Sequence, residues 1–530
     1  MLSSFLFLSH GTIDQNQTLE TLMAGACDKI NNQESCLSRI QSHVESQDYH
    51  RLPAAVSVLT AALQNSINEA QSAIDMITTF NTLSISYREQ LAIEDCKELL
   101  DFSVSELAWS LSEMKSIHAG LKNPHSDGNL KAWLSAALSN QDTCLEGFEG
   151  TDRRLERFVR GSLSQVTQLI GNVLTLYTQM HRLPFKPPRN NINGTEDETQ
   201  SSGFPEWMTD GDKELLASSP DGMHVDSVVA MDGSGQYRSI GQAVLEAPSY
   251  SNRRFVIYVK KGVYRENIDM KKKKSNIMLV GDGIGKTIIT GNRNFMQGWT
   301  TFRTATVAVS GKGFIARDIT FRNTAGPESH QGVALRVDSD QSAFYRCSME
   351  GYQDTLYAHS LRQFYRECSI SGTIDFIFGN GAAVLQGCKI FTREPLPLQK
   401  VTITAQGRKD PHQSTGFSIQ DSYVYATRPT YLGRPWKQYS RTVYINTYMS
   451  SMVQPRGWLE WYGDFALGTL WYGEYRNYGP GASISGRVQW PGFHIIRDAA
   501  TATFFTVGRF LDGMAWLPAT GVKFTAGLSN

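Results

Sequence analysis

Phe344-Tyr-Arg-Cys347, Phe364-Tyr-Arg-Glu-Cys368 and Val384-Leu-Gln-Gly-Cys388 are three versions of one short phrase, and their cysteines stand 21 and 20 residues apart. A second beat runs through the same stretch: Gln331, Gln353 and Asp375 are spaced by 22 residues, with Asp354 beside the middle one. Self-similarity at such a period marks a repeat architecture. A unit of this length cannot bury its apolar side alone, but stacked copies bury a shared core. The Leu-x-x-Leu-x-Leu framework of a leucine-rich solenoid is missing, and Val, Ile, Phe and Thr dominate, so the repeat reads as a parallel β-helix. Neighbouring coils would lie one strand spacing apart, about 4.8 Å. On that winding Gln331, Gln353 and Asp375 stack on successive coils, and Asp354 lies one coil from Asp375. Adjacent strand residues point to opposite faces, so Gln353 and Asp354 can both face one cleft only at a bend.

Outward from this stretch, strand-like runs follow at Phe255–Val259, Ile277–Val280, Thr306–Val309, Phe314–Phe321, Ala334–Val337 and Val401–Thr404, separated by Gly, Asn and Asp turns. No long helical pattern interrupts them, which argues against a doubly wound α/β sheet. Towards the N-terminus the pattern changes. Residues 18–182 are poor in Gly and Pro and carry apolar stripes at helical spacing, as in Leu99, Phe102, Leu107 and Leu111, at Val56 to Ile74 and at Leu155 to Tyr177. With breaks at 122–128 and 143–151 they read as an all-α bundle. Cys27 and Cys36 could close a local loop there, and Cys96 and Cys144 could tie two long helices. Between the two parts, residues 183–222 hold Pro184, Pro187, Pro188, an Asn-rich run and an acidic patch, a composition that cannot build a core and reads as a linker.

The formal net charge of the 530 residues is zero, yet residues 1–200 carry 15 Lys and Arg against 24 Asp and Glu, leaving 36 against 27 in the rest. A basic repeat domain suits a polyanionic ligand, and an acidic neighbour suits a domain that docks on it. No apolar run reaches 18 residues, so no membrane span is expected. Residues 1–17 read as a partial signal or a disordered start, since Met1 to Leu8 is apolar but short and lacks a basic flank. Asn16-Gln-Thr and Asn193-Gly-Thr are glycosylation acceptor patterns. Together with the pairable cysteines they suggest a secreted, extracellular protein.

Asp375 and Asp354 can perform ester hydrolysis between them. A carboxylate nucleophile, Asp375, can attack an ester carbonyl. A second carboxyl group, Asp354, can give a proton to the leaving alcohol and later take one from water. Two acids about 5 Å apart discourage joint ionisation, which divides their labour. Arg434 would hold Asp375 ionised and oriented through a charge-assisted pair. Gln331 and Gln353 would supply amide N–H donors to the tetrahedral oxyanion. No metal or organic cofactor is required. The same pair of carboxylates at that separation also suits a retaining glycoside hydrolase. A non-catalytic wall-binding or inhibitor protein is the other alternative.

Gln331-Gly-Val-Ala-Leu, Gln353-Asp-Thr-Leu, Asp375-Phe-Ile-Phe-Gly, Leu432-Gly-Arg-Pro-Trp and Gly262-Val-Tyr-Arg-Glu resemble, in order and spacing, the five signature segments of the plant-type pectin methylesterases. The likeness covers residues 223–530, including Gly479-Pro-Gly-Ala and Trp490-Pro-Gly-Phe. It implies a right-handed β-helix that hydrolyses methyl esters of homogalacturonan to pectate and methanol in the cell wall. It assigns the roles above to Asp354, Asp375, Gln353, Gln331 and Arg434, packs Trp436 on a sugar ring and brings Thr301 to the substrate. It also implies a Cys368–Cys388 disulfide, although Cys347–Cys368 is nearly as compatible with the spacing; Cys347 is then a buried free thiol.

The cysteine layout of the first part and the run Thr143-Cys-Leu-Glu-Gly-Phe resemble the pectin methylesterase inhibitor family, which implies a four-helix bundle, Cys27–Cys36 and Cys96–Cys144 bonds, and an inhibitory or folding role with possible docking on the enzyme domain. Phe204-Pro-Glu-Trp and Lys213-Glu-Leu-Leu resemble the processing region of such two-domain chains, but Glu214 replaces one residue of the usual basic pair. The segment Asp421 to Thr430 is shorter than the family's, which bears on subsites rather than chemistry.

Other motifs fail. Gly281-Asp-Gly-Ile-Gly-Lys-Thr lacks the first glycine of a phosphate loop and reads as a coil turn. There is no Gly-x-Ser-x-Gly elbow. His330, His359 and His412 lack metal-ligand spacing. The lysines at 271–274 have no interleaved aromatics and read as a solvated turn, not a nucleic-acid patch.

Overall fold

The computed structural model describes residues 19–46, 54–119, 121, 123–180 and 224–529. The start of the chain, the 183–222 linker with Lys213-Glu214, and the acceptor residues Asn16 and Asn193 lie outside the described residues. The chain divides into two compact units, one built on the N-terminal helices and one on the strands.

The helical elements are α1 (Leu19–Ala26), α2 (Gln33–Val44), α3 (Ala54–Thr79), α4 (Tyr87–His118), α5 (Ser126–Glu146) and α6 (Arg154–Met180). Asn32 caps α2 by accepting the Ser35 amide at 3.1 Å. The apolar stripe of α6, Leu155, Val159, Leu163, Val166 and Ile170, is buried, and α6 packs along α3. Buried polar groups fix the register of α4 on α5. The Asn140 amide donates to Glu106 at 3.0 Å and to Ser103 at 3.1 Å, and the Gln141 amide reaches the same Ser103 hydroxyl at 2.9 Å. Cys27–Cys36 joins the end of α1 to α2, and Cys96–Cys144 joins α4 to α5.

The strands wind into a right-handed parallel β-helix whose three sheets hold eleven, eight and seven strands among the described residues. Each coil visits the first sheet, turns a corner into the second, crosses a loop to the third, and returns. The corner is abrupt because one residue adopts left-handed backbone on coil after coil: Asp318, Arg346, Glu367, Gly387, Asp421, Asn446 and Arg476 have φ between +48° and +66°. Only one is glycine. For the others the conformation costs about 1–2 kcal/mol each, and contacts between corners offset part of it, as where the Arg346 guanidinium donates to Asp318 at 2.8 and 2.7 Å. The run Phe314–Phe321, expected as one strand, is therefore two, Ile315–Arg317 and Thr320–Asn323, broken at the Asp318 corner.

Inside the coils identical positions stack: Leu335 on Leu356 on Ile377 in the third sheet, and Met349 on Ile370 on Ile390 in the second. Phe344 stacks on Tyr365 with centroids 4.9 Å apart. Cys347, Cys368 and Cys388 belong to this core as three buried free thiols. The Cys368–Cys388 disulfide is thus corrected: Cys368 lies between its two neighbours and donates instead to the Phe344 carbonyl, at 3.3 Å, while Cys388 donates to that of Tyr365 at 3.4 Å. The lysine turn also needs amending. Lys271 is solvated and pairs with Asp269 at 2.6 Å, but Lys274 is buried and its ammonium donates to the Leu245 and Ala247 carbonyls.

Candidate active site

The loops that leave the second sheet and enter the third carry Gln331, Gln353 with Asp354, and Asp375 on three successive coils. The expected 22-residue ladder holds for only one of its two steps. The Gly332 amide donates to the Gln353 carbonyl, which sets Gln331 level with Gln353. Both the Ala334 and the Leu335 amides then reach the Thr355 carbonyl, a bulge that absorbs one extra residue before Leu335 pairs with Leu356. On the next coil the spacing is 21. The Asp354 amide donates to the Ile374 carbonyl and Leu356 pairs with Ile377, so Asp354, not Gln353, stacks on Asp375. The backbone bends here, with φ of +62° at Asp354 and +50° at Asp375. Aspartate tolerates this region better than most residues.

Asp375 is held on every side. Its amide donates to the Thr402 hydroxyl oxygen at 2.9 Å, and that hydroxyl donates back to its Oδ1 at 2.6 Å. Arg434 grips both carboxylate oxygens, Nε to Oδ1 at 2.8 Å and a terminal nitrogen to Oδ2 at 2.5 Å. In register, Arg434 lies above Ala405, and Ala405 above Phe378. The small Ala405 leaves room for the guanidinium to reach back down to Asp375. The guanidinium carbon lies 4.3 Å from the Trp461 ring centre, a cation–π contact that limits its movement.

Asp354 is buried as well. Burial, and then the charge of Asp375, push its carboxyl well above the usual carboxylate range. The Gln331 side-chain oxygen is buried without a hydrogen-bond partner among the described residues. An unpaired buried acceptor costs free energy, and a substrate donor such as a sugar hydroxyl that pairs with it would offset that cost. Tyr357 and Phe378 stack at 4.1 Å beside the carboxylates, and Trp436 meets Phe378 edge-on at 5.9 Å, a continuous aromatic wall. Thr301 opens a short 3-10 turn, Thr301–Arg303, and makes no hydrogen bond to the two aspartates. His359, set among Phe302 and Tyr357, is driven by burial to about 3 and stays neutral. Among the described residues no three His, Cys, Asp or Glu side chains cluster as metal ligands.

Sequence reasoning missed Thr402 and Trp461. Thr402 hides in Val401-Thr-Ile-Thr404, an ordinary buried strand pattern, and Trp461 follows Trp458-Leu-Glu with no local mark of its contact to Arg434.

Residues 226–514 match the family Pectinesterase, and residues 21–176 match Plant invertase/pectin methylesterase inhibitor. The chain is 65% identical over 526 residues to "Putative pectinesterase/pectinesterase inhibitor 22" of Arabidopsis thaliana, covering 97% of this chain and 95% of the relative. It is 49% identical to "Pectinesterase 2" of Citrus sinensis, covering 88% of each. Among solved structures it is similar to "Pectin methylesterase from Carrot", with a TM-score of 0.58 and 54% identity over 59% of this chain and all of that one. The chain belongs to the pectinesterase family, and its esterase domain follows an inhibitor-type helical region.

Proposed function

We propose that Asp375 is the nucleophile and Asp354 the acid and base of a methyl-ester hydrolysis on homogalacturonan. An Asp375 oxygen attacks the C6 carbonyl carbon of a methyl-esterified galacturonate, and the carbonyl π bond becomes an oxyanion that accepts from the Gln331 and Gln353 amides. The oxyanion collapses and expels the methoxy group, which takes the Asp354 proton and leaves as methanol. An acyl anhydride to Asp375 remains. Asp354, now a carboxylate, removes a proton from water as its oxygen attacks the same carbonyl. Collapse then frees Asp375 as a carboxylate and the galacturonic acid, whose carboxyl group releases its proton to solvent. Arg434 balances the charge of Asp375 before attack and after its release, Trp436 and the Phe378 wall pack on sugar rings, and Thr301 contacts the chain further along the cleft.

The observation that carries this reading is the in-register Asp354–Asp375 stack, with one member clasped by Arg434 and the other buried with no ion-pair partner of its own among the described residues. The helical region serves as an inhibitory or folding unit for this activity, and the protein acts in the cell wall after secretion, with Asn16 and Asn193 as glycan acceptors. The test is the full chain on methyl-esterified homogalacturonan. Methanol should appear with no rise in reducing ends; new reducing ends without methanol would make it a glycosidase.

A further inference from the structure

The three outer faces of the β-helix are used unequally. The first sheet's face is covered by the C-terminal segment, whose Val507, Leu511, Trp516 and Leu517 pack on Val256, Ile315, Phe364 and Val384. The loops entering the third sheet carry the carboxylates. The second sheet changes character along its length. One outward column runs Ser348, Ser369, Lys389 and then becomes Tyr423, Tyr448 and, through an isolated bridge, Tyr478. The adjacent column changes likewise, from Glu350 and Ser371 to Phe391 and Tyr425.

The rings form one contiguous cluster. Tyr423 and Tyr425 stack with their planes within 5° of parallel at 6.0 Å, Tyr425 stacks on Phe391 at 5.2 Å, and Tyr448 bridges Tyr423 at 6.3 Å to Tyr478 at 5.7 Å. Stacking between strands explains why the rings align, but not why they stay in water: Tyr423 is 37% exposed and Tyr478 49%. Beside them runs an open groove of roughly 400 Å³ lined by Asp421, Tyr423, Asn446, Arg476, Tyr478 and Ser529. The Asp421 carboxylate is already occupied by the Ser529 hydroxyl at 2.7 Å and the Asn446 amide at 3.3 Å. Arg476 is exposed, 5.2 Å over the Tyr475 ring, and among the described residues no carboxylate pairs with it or with Lys389.

We infer that this face of the second sheet is a binding site, separate from the catalytic cleft, for an acidic polysaccharide. The reasons are chemical. Exposed rings offer apolar surfaces to the C–H faces of pyranose rings. An unpaired guanidinium at the edge matches a uronate carboxylate in planar fork geometry. An open groove admits a chain that enters and leaves, unlike an enclosed ligand pocket. The rim of Asp421, Asn446 and Ser529 is polar. The choice of a uronan rests on the esterase reading. The face would hold the enzyme on de-esterified stretches of the polymer whose remaining esters it attacks.

The test uses the full chain and Tyr423→Ala/Tyr478→Ala, with retardation by polygalacturonate in affinity electrophoresis as one readout and methanol from a short methylated trigalacturonide as the other. The double variant should bind polygalacturonate at least about tenfold more weakly while the short substrate is turned over within twofold of the parent. Tyr423→Phe/Tyr478→Phe should bind as the parent does, and Arg476→Gln should bind more weakly with a shallower salt dependence. Unchanged retardation in both the alanine and the Arg476→Gln variants overturns the proposal, as does equal retardation of the parent by a neutral glucan. Loss of self-association with unchanged retardation would also overturn it, assigning the face to a protein contact. Absence of methanol from every form would strike the esterase reading and leave the binding result standing.

Discussion

Thr402 shows how much of the site depends on a side chain that does not touch the reacting atoms. Its hydroxyl closes a reciprocal pair of hydrogen bonds with Asp375, so Thr402→Val removes a donor to the nucleophile while keeping the strand's shape. The expected result is a kcat lower by about tenfold to a hundredfold, corresponding to roughly 1.4–2.7 kcal/mol, with KM little changed; equal kcat in variant and parent would remove Thr402 from the positioning scheme. Asp354 makes a sharper case. Its raised carboxyl means the folded protein keeps a proton that the unfolded chain has released, from the ordinary carboxylate value near 3.8 up to the folded one. Stability contributed by this group therefore falls as pH rises through that window. Asp354→Asn, neutral throughout, should abolish turnover yet denature at higher urea than the parent at pH 7, by about 0.5–2 kcal/mol, and this gain should vanish below pH 3. A variant less stable at both pH values would refute the electrostatic account of Asp354. At this scale the sequence was informative about residue type and only partly about register. Gln331, Gln353, Asp354 and Asp375 were legible as one patch because of their spacing, but a bulge has no composition of its own, so the 22-residue beat pointed to Gln353 where the backbone stacks Asp354 on Asp375.

At the level of the coil, the tight return from the third sheet to the first governs stability. Gly379 has φ +124°, and a Cβ there would lie 2.1 Å from the Ala358 carbonyl oxygen of the coil below. No flexible side chain can yield, so Gly379→Ala combines a backbone clash with a conformation closed to L-residues. It should destabilise by more than about 3 kcal/mol in a urea titration; a loss below 1 kcal/mol would mean that adjacent coils adjust independently. The corners between the first and second sheets were the least legible feature. Turn reasoning looks for glycine or asparagine, whereas most of these corners use Asp, Arg or Glu in left-handed backbone, a cost sustained by contacts between coils rather than by local preference. Phe314–Phe321 accordingly looked like one strand. The thiol stack has the same origin: a period of 20 to 21 residues permits a disulfide and equally permits three inward cysteines each bonded to a carbonyl.

For the whole molecule, the division into a helical and a coiled-strand unit was readable from apolar period alone, 3.6 before the linker and short β runs after it. The helix bundle leans on few crosslinks. Cys96–Cys144 closes a separation of 48 residues, for which chain entropy gives a stabilisation of about 4 kcal/mol in a model-dependent treatment. Cys96→Ser/Cys144→Ser should lower the first thermal transition of the full chain without changing methanol release per folded molecule. Activity lost in proportion to that transition would instead tie the esterase fold to the bundle.

The central claim is the division of labour between two stacked aspartates, and its most direct measurement is the initial rate of methanol release by the full chain, by Asp375→Asn and by Asp354→Asn on methyl-esterified homogalacturonan. The parent should lose kcat/KM as pH rises through the elevated Asp354 value, and each variant should fall by at least about 10³-fold while remaining folded. An Asp375→Asn protein that still releases methanol within tenfold of the parent would contradict the mechanism.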